Sequence, residues 1–377
     1  MTLLDKAGGG RGLTIACGIL ALTRIGQVVM LLWLGAAADD GVSLWQHLLE
    51  WDGGWFIRAA TDGYPHGYTY RPTGELEANE LAFFPLYPGL IRLLAALGAA
   101  PAAAALMVSW LASLGAAVAL HLLGTSLHSR RAGWALVAIC CSAPASVVLS
   151  MAYSEGLFLA LVAGMLVAAH QRVWWAAGLL GLAASLTRPT GAAAAVALAV
   201  AAALALRDRE TRTWKAPVAA AVALAGVPAY LGWVALRVGD LDAWFRIQAA
   251  GWGTAFDAGA STLAFLGRTL STGDGWIPVS VALILLAAAA AAGVALAGRP
   301  WLPLAVYGVL AMILVYGQAG YYHSKPRLLL PVLLTLMPAA VAAARARPRV
   351  AVLSITAWAL FGLWYGAYLV VVWPYTL

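Results

Sequence analysis

The stretch LTIACGILALTRIGQVVMLLWLGA, Leu13 to Ala36, carries one charge, Arg24, in an otherwise apolar run long enough to cross a bilayer as a helix. It has no small-residue cleavage site behind it, so it reads as a retained transmembrane helix and not as a signal peptide. Ten more runs of the same kind follow, at about 102–124, 132–150, 154–170, 173–187, 190–206, 216–236, 277–298, 301–317, 327–344 and 350–372. The composition of the 377-residue chain agrees. Hydrophobic residues make up 63% and charged residues 10%, and the mean hydropathy is +0.84. That much apolar surface calls for lipid as the solvent, which excludes a cytosolic enzyme and a nucleic-acid binder despite the net charge of +7. Cys17, Cys140 and Cys141 all lie in apolar runs, with neither metal spacing nor a disulfide framework. The expected fold is an all-α polytopic membrane protein, one integral-membrane domain over 1–377.

One further apolar run, AFFPLYPGLIRLLAALGA at 82–99, either spans the membrane or lies at its surface. The distribution of Lys and Arg favours the surface. With 82–99 outside the bilayer and the N-terminus cytoplasmic, the inner side holds thirteen Lys/Arg against three acids, and the outer side nine against thirteen. A full span at 82–99 would put the basic clusters outside. The expectation is therefore eleven transmembrane helices, interfacial helices in the first outer loop (about 37–101), a second outer loop at about 237–276, and the C-terminus outside. The Ala, Gly and Arg richness suggests a GC-rich bacterial genome, hence a bacterial cytoplasmic membrane with the site on its extracytoplasmic face.

The polar segments then gather on the outer side: Trp51–Tyr87, Tyr153–Glu155, Thr187–Gly191, Asp240–Asp274 and Tyr321–Arg327. No nucleotide-binding signature such as GxxxxGK[ST] is present. Asp52 stands between Trp51 and Trp55 at the membrane edge, a partly desolvated setting suited to a general base. Gly53 and Gly54 after it would let a substrate approach the backbone. Asp62 is a weaker candidate and also reads as a turn. His66 sits in a Pro/Gly/Tyr-rich loop without a catalytic signal, and Glu75, Glu77 and Glu80 read as a solvated acidic stretch. Glu155, beside Tyr153 and Ser154, is a carboxylate close to hydrocarbon and needs a partner, for which Arg188 is placed. Lys325 and Arg327, near His323 and Tyr322, are cations where a lipid phosphate would lie. Aromatics Trp244, Phe245, Trp252 and Phe256 mark the second outer loop as an interfacial helix or an acceptor-site lid. No His/Asp/Glu spacing reads as a closed metal site, so neither a cofactor nor a divalent metal is expected.

The pieces WDGGWFIRAATDGY (51–64), AFFPLYPGLIR (82–92), PASVVLSMAYSEGLF (144–158), SLTRPTG (185–191) and KPRLLLP (325–331), in this order, resemble the PIG-V family, the GPI mannosyltransferase II enzymes and their bacterial relatives. The resemblance implies a GT-C glycosyltransferase fold and a polyprenyl-phosphate mannose donor used on the outer leaflet. It implies a catalytic carboxylate in the first outer loop, which falls on Asp52. Arg188, Lys325, Arg327 and His323 would then hold the donor phosphate. Trp51, Gly53, Arg58, Asp62, Tyr64, Tyr87, Tyr153, Glu155 and Tyr322 would bind or support substrate. The expected partners are the donor, a lipid or glycan acceptor and membrane lipids, with no nucleic acid. The alternatives are a GT-C enzyme for another polyprenyl-phosphate sugar, a lipid or sugar transporter, and a non-catalytic subunit of an envelope-assembly complex. The transporter lacks support from internal repeats or matched broken helices.

Overall fold

The computed structural model describes residues 2–210, 212–273 and 275–375. Asp274, which closes one of the outer segments above, and the C-terminal residue 377 lie outside them. The described residues are mostly helical, with one short antiparallel hairpin pairing Thr69–Tyr70 with Leu76–Glu77.

Among the described residues, five helices are long and apolar enough to cross a membrane: Gly9–Ala38, Pro101–Leu127, Lys215–Val238, Trp276–Ala297 and Pro348–Val371. The segments Tyr322–Leu329 and Leu333–Arg345, bent by 58° at their junction, make a sixth candidate if taken as one span. The other expected spans form shorter helices: Arg130–Cys141, Glu155–His170, Trp174–Ser185, Gly191–Arg207 and Leu302–Gly317. At 12 to 17 residues they rise only about 18–26 Å, short of a hydrocarbon core of about 30 Å. Helix length alone therefore does not reach the count of eleven. The run at 82–99 gives the Leu86–Ala96 helix, whose 11 residues rise about 16 Å and cannot cross.

The expected span at 132–150 departs most from the sequence reading. Its helix stops at Cys141 and resumes only as a 3-10 turn at Ser146–Leu149. Pro144 lacks an N–H, and Ser142, Ser146 and Ser150 compete for backbone groups, so the helix cannot run on. Buried non-helical backbone needs partners from elsewhere in the protein. Arg24, 2% exposed, supplies two of them and a side-chain bond besides. It donates to the carbonyl of Ser146 (2.7 Å), the hydroxyl of Ser150 (3.0 Å) and the carbonyl of Cys141. Ser113 donates to Leu149 O (3.1 Å), Trp110 to Ser150 O (3.0 Å) and Ser109 to Tyr153 O (3.0 Å). Arg24 of the Gly9–Ala38 helix thus helps to hold the broken segment that delivers Tyr153 and Glu155.

The chain shuttles between two ends of the bundle. At one end Arg130 donates to Lys6 O (3.1 Å), Arg172 lies 3.7 Å from Asp208, and His170 packs edge-on to Trp301. At the other end five connections meet around one cavity, from 52–56, 82–84, 154 with 187–189, 244–254 and 318–328.

Candidate active site

Trp51 holds φ 55° and ψ −110°, a conformation that costs a non-glycine residue of order 1–3 kcal/mol and is found mostly where function requires it. It turns the chain so that Asp52 opens the Asp52–Thr61 helix, whose amino-terminal dipole favours a carboxylate there. The Asp52 amide donates to the Tyr153 hydroxyl (3.4 Å). A Cβ built on Gly53 would sit 3.3 Å from Ala152 Cβ, whereas Gly54 faces open space. Gly53 thus serves the packing of this helix on the 151–154 turn, not the open approach expected of it.

The charged groups form a chain of pairs. Arg327 Nη1 donates to Asp52 Oδ2 at 2.6 Å, and Arg327 Nε lies 3.4 Å from Glu155 Oε1. Arg188 Nη1 lies 2.6 Å from the same Glu155 oxygen and donates to the Ser154 hydroxyl at 3.2 Å. The Arg327 guanidinium also sits 5.0 Å from the centre of the Tyr153 ring, a cation–π contact. Glu155 is 1% exposed, and neither of its oxygens makes a well-directed hydrogen bond. Charge alone therefore holds it against the two guanidiniums, in a low-dielectric setting where such attraction is strong. Asp52, Arg188 and Arg327 reach a cavity of about 160 Å³ at the meeting point of the five connections.

Lys325 lines the same cavity, 3% exposed. Its Nζ donates to Val315 O and Gln318 O, both at 2.7 Å. Two of its three N–H directions thus secure the end of the Leu302–Gly317 helix. The role expected of it at a phosphate is left to the third.

The remaining candidates lie around the cavity, not on its wall. Tyr153 and Glu155 stand behind the arginines. Tyr87 is buried and donates to Ala105 O (2.9 Å). Arg58 pairs with Glu80 (3.1 Å) and covers the Trp55 ring. Tyr64 donates to Phe83 O (3.0 Å), and with Asp62 it lines a separate open cleft bordered by Arg92, Trp233 and Arg237. Tyr322 stacks on Phe265 with ring centres 4.5 Å apart, and His323 stacks beside Tyr321. Trp51 packs against the core.

Sequence reasoning missed several lining residues: Ser154, Thr187, Gln248, Thr254, Gln318 and Ser324. Their only signal was proximity to the charged motifs. Trp244 and Trp252, singled out for their aromatic spacing, do line the cavity. They sit on the Ala243–Trp252 helix, which is fastened over it by two donors to Ala82 O, from Trp244 Nε1 (3.3 Å) and Gln248 Nε2 (2.9 Å). Beyond that helix the chain pairs with the 317–319 backbone through Asp257 N to Gly317 O (2.9 Å) and Ala319 N to Ala255 O (2.7 Å).

Residues 37–202 match a family model described as Mannosyltransferase (PIG-V). The matched stretch contains Asp52, Tyr153, Glu155 and Arg188, while Lys325 and Arg327 lie beyond it. No curated protein matches the chain.

Proposed function

The match over residues 37–202 supports the PIG-V mannosyltransferase family for this chain, and from that premise we propose an inverting, GT-C type transfer of mannose from polyprenyl-phosphate mannose to a hydroxyl of an outer-leaflet glycolipid or other glycan acceptor. The observation that carries the reading is the meeting of Asp52 with Arg327 at the wall of the cavity. These two groups supply what a single displacement needs, a base for the acceptor and a cation for the leaving phosphate.

In this mechanism the acceptor oxygen attacks the anomeric carbon while Asp52 takes its proton. The new bond joins that oxygen to the sugar, and the bond to the phosphate oxygen breaks with its electron pair leaving on the phosphate. The leaving group is a weak base and needs charge stabilisation more than a proton. Arg327 and Arg188 supply it, with the free N–H of Lys325. Glu155 holds the two guanidiniums side by side and touches neither substrate. The Ala243–Trp252 helix roofs the cavity and limits the access of water.

For the membrane setting, the reading keeps eleven crossing segments, a cytoplasmic N-terminus and an extracytoplasmic site. It is supported by the gathering of the basic connections at the end of the bundle opposite the cavity. Purified protein incubated with labelled polyprenyl-phosphate mannose and membrane lipids is expected to give a labelled product whose anomeric configuration is opposite to that of the donor. Retention of configuration, or transfer from a glucose or arabinose donor only, overturns the reading.

A further inference from the structure

Asp52 and Arg327 occupy each other. Asp52 Oδ2 lies 2.6 Å from Arg327 Nη1, so the carboxylate and the guanidinium that line the cavity are turned to each other. The side chains are only 19% and 11% exposed, so water does not readily take either place. A carboxylate oxygen so engaged is not open to an acceptor hydroxyl, and a guanidinium nitrogen so engaged is not open to an anion. The rest of the cluster does not loosen the pair. Arg327 is held from behind by Glu155, and Glu155 by Arg188. Asp52 stands on the first turn of its helix, with the open space of Gly54 beside it, and has no second anchor of this kind among the described residues.

We propose that the donor phosphate displaces Asp52 from Arg327, so that binding of the donor is the event that frees the base. This rests on the mannosyl-transfer reading and adds an order to it: donor first, acceptor activation second. The charges support it. The cations Arg188, Lys325 and Arg327 face the carboxylates Asp52 and Glu155, which leaves one net positive charge. A lipid-phosphate sugar is a diester with one negative charge, so its arrival neutralises the cluster. During transfer, Asp52 gains the acceptor proton and loses its charge while the leaving phosphate gains a second one. The total charge is unchanged across the step, so a poorly solvated site meets no added cost for burying charge. As the lipid phosphate departs, its dianion takes the proton from Asp52 and leaves as the monoanion, and the carboxylate returns to Arg327, which also helps to expel the product.

The test is a binding measurement with farnesyl phosphate as the probe, on protein in detergent or nanodiscs. Removing the competitor should tighten binding, so Asp52→Asn is expected to bind the probe about tenfold more tightly than the wild type. Glu155→Gln removes a negative charge equally near Arg327 but takes away its anchor, and is expected to bind more weakly. That contrast separates direct competition from a general change of charge. In the Arg327→Gln background, Asp52→Asn should give no gain, and this cycle decides the matter if Glu155→Gln proves unstable in a thermal melt. Equal or weaker binding by folded Asp52→Asn, or an equal gain in the Arg327→Gln background, overturns the proposal and leaves the transferase reading standing. No binding of the probe by the wild type or by Asp52→Asn overturns both.

Discussion

Arg327 reaches across 275 residues of sequence to hold Asp52 at 2.6 Å. The contact joins the stretch that follows the Gly9–Ala38 helix to the one that follows the Leu302–Gly317 helix, and so closes the cavity between early and late parts of the chain. Asp52 lies within the stretch that matches the mannosyltransferase family, and Arg327 lies outside it. The site is complete only when the two halves pack.

The two glycines after Asp52 should respond differently to substitution. Gly53 lies against Ala152 and Gly54 faces open space. Gly53→Leu is expected to push the Asp52–Thr61 helix off the 151–154 turn and abolish transfer. Gly54→Ala should be folded and active, with a gain of about 1 kcal/mol from helix propensity. Equal activity in both variants would contradict the packing role of Gly53.

Arg24 offers a second test, far from the cavity. Replacing it with Met leaves the carbonyls of Cys141 and Ser146 without its donors, at roughly 1–3 kcal/mol for each unsatisfied group. A clearly lower thermal melting point is expected, with loss of transfer, because the same segment carries Tyr153 and Glu155. An Arg24→Met protein as stable as the wild type would contradict the account of the broken helix.

The connections at 39–43 and 239–259 should be sensitive to acid. Hydrogen bonds hold three carboxyls there below their ordinary value of 3.8: Asp40 by the Val42 amide, Asp240 by the Tyr68 hydroxyl and Asp257 by the Ser261 hydroxyl. A carboxyl lowered in the folded state stabilises it above the unfolded value, and that contribution fades as pH falls through the folded value. Limited proteolysis of residues 240–257 should therefore accelerate below about pH 4, before the helices melt. A rate that stays flat until global unfolding would contradict it.

Sidedness can be read by labelling. In a Cys17→Ser background, with Cys140 and Cys141 buried, Asp242→Cys is expected to react with an impermeant maleimide from outside intact cells, and Arg212→Cys only after permeabilisation. The reverse pattern would invert the proposed orientation.

How far these features were legible in the sequence differs by residue. Asp52, Glu155, Arg188 and Arg327 stood out because charge is rare in so apolar a chain, and each sits at the end of an apolar run. Their partners were less visible. Arg188 could be paired with Glu155 by side alone, but nothing in the sequence tells that Arg327 faces Asp52. Lys325 looked like a phosphate ligand, yet its ammonium mostly closes a helix end, a role that depends on where Val315 and Gln318 carbonyls point. Tyr64, Tyr87 and Arg58 belong to recognisable motifs and do structural duty, since a motif does not show which way a side chain turns. Hydropathy found the long apolar helices, but it could not see the break at 142–145 or the helices at Asp52–Thr61 and Ala260–Thr272. That break depends on Arg24, more than a hundred residues earlier, being free to satisfy the backbone.

The central claim is that Asp52 is the base of a mannosyl transfer. Its most direct test is the rate of transfer from polyprenyl-phosphate mannose by the wild type and Asp52→Asn side by side, with equal melting temperatures as the check on folding. The account predicts a loss of about 10²–10⁴-fold in the variant, the range expected for general-base catalysis, with the lipid phosphate still bound. A folded Asp52→Asn that transfers mannose at the wild-type rate would contradict it.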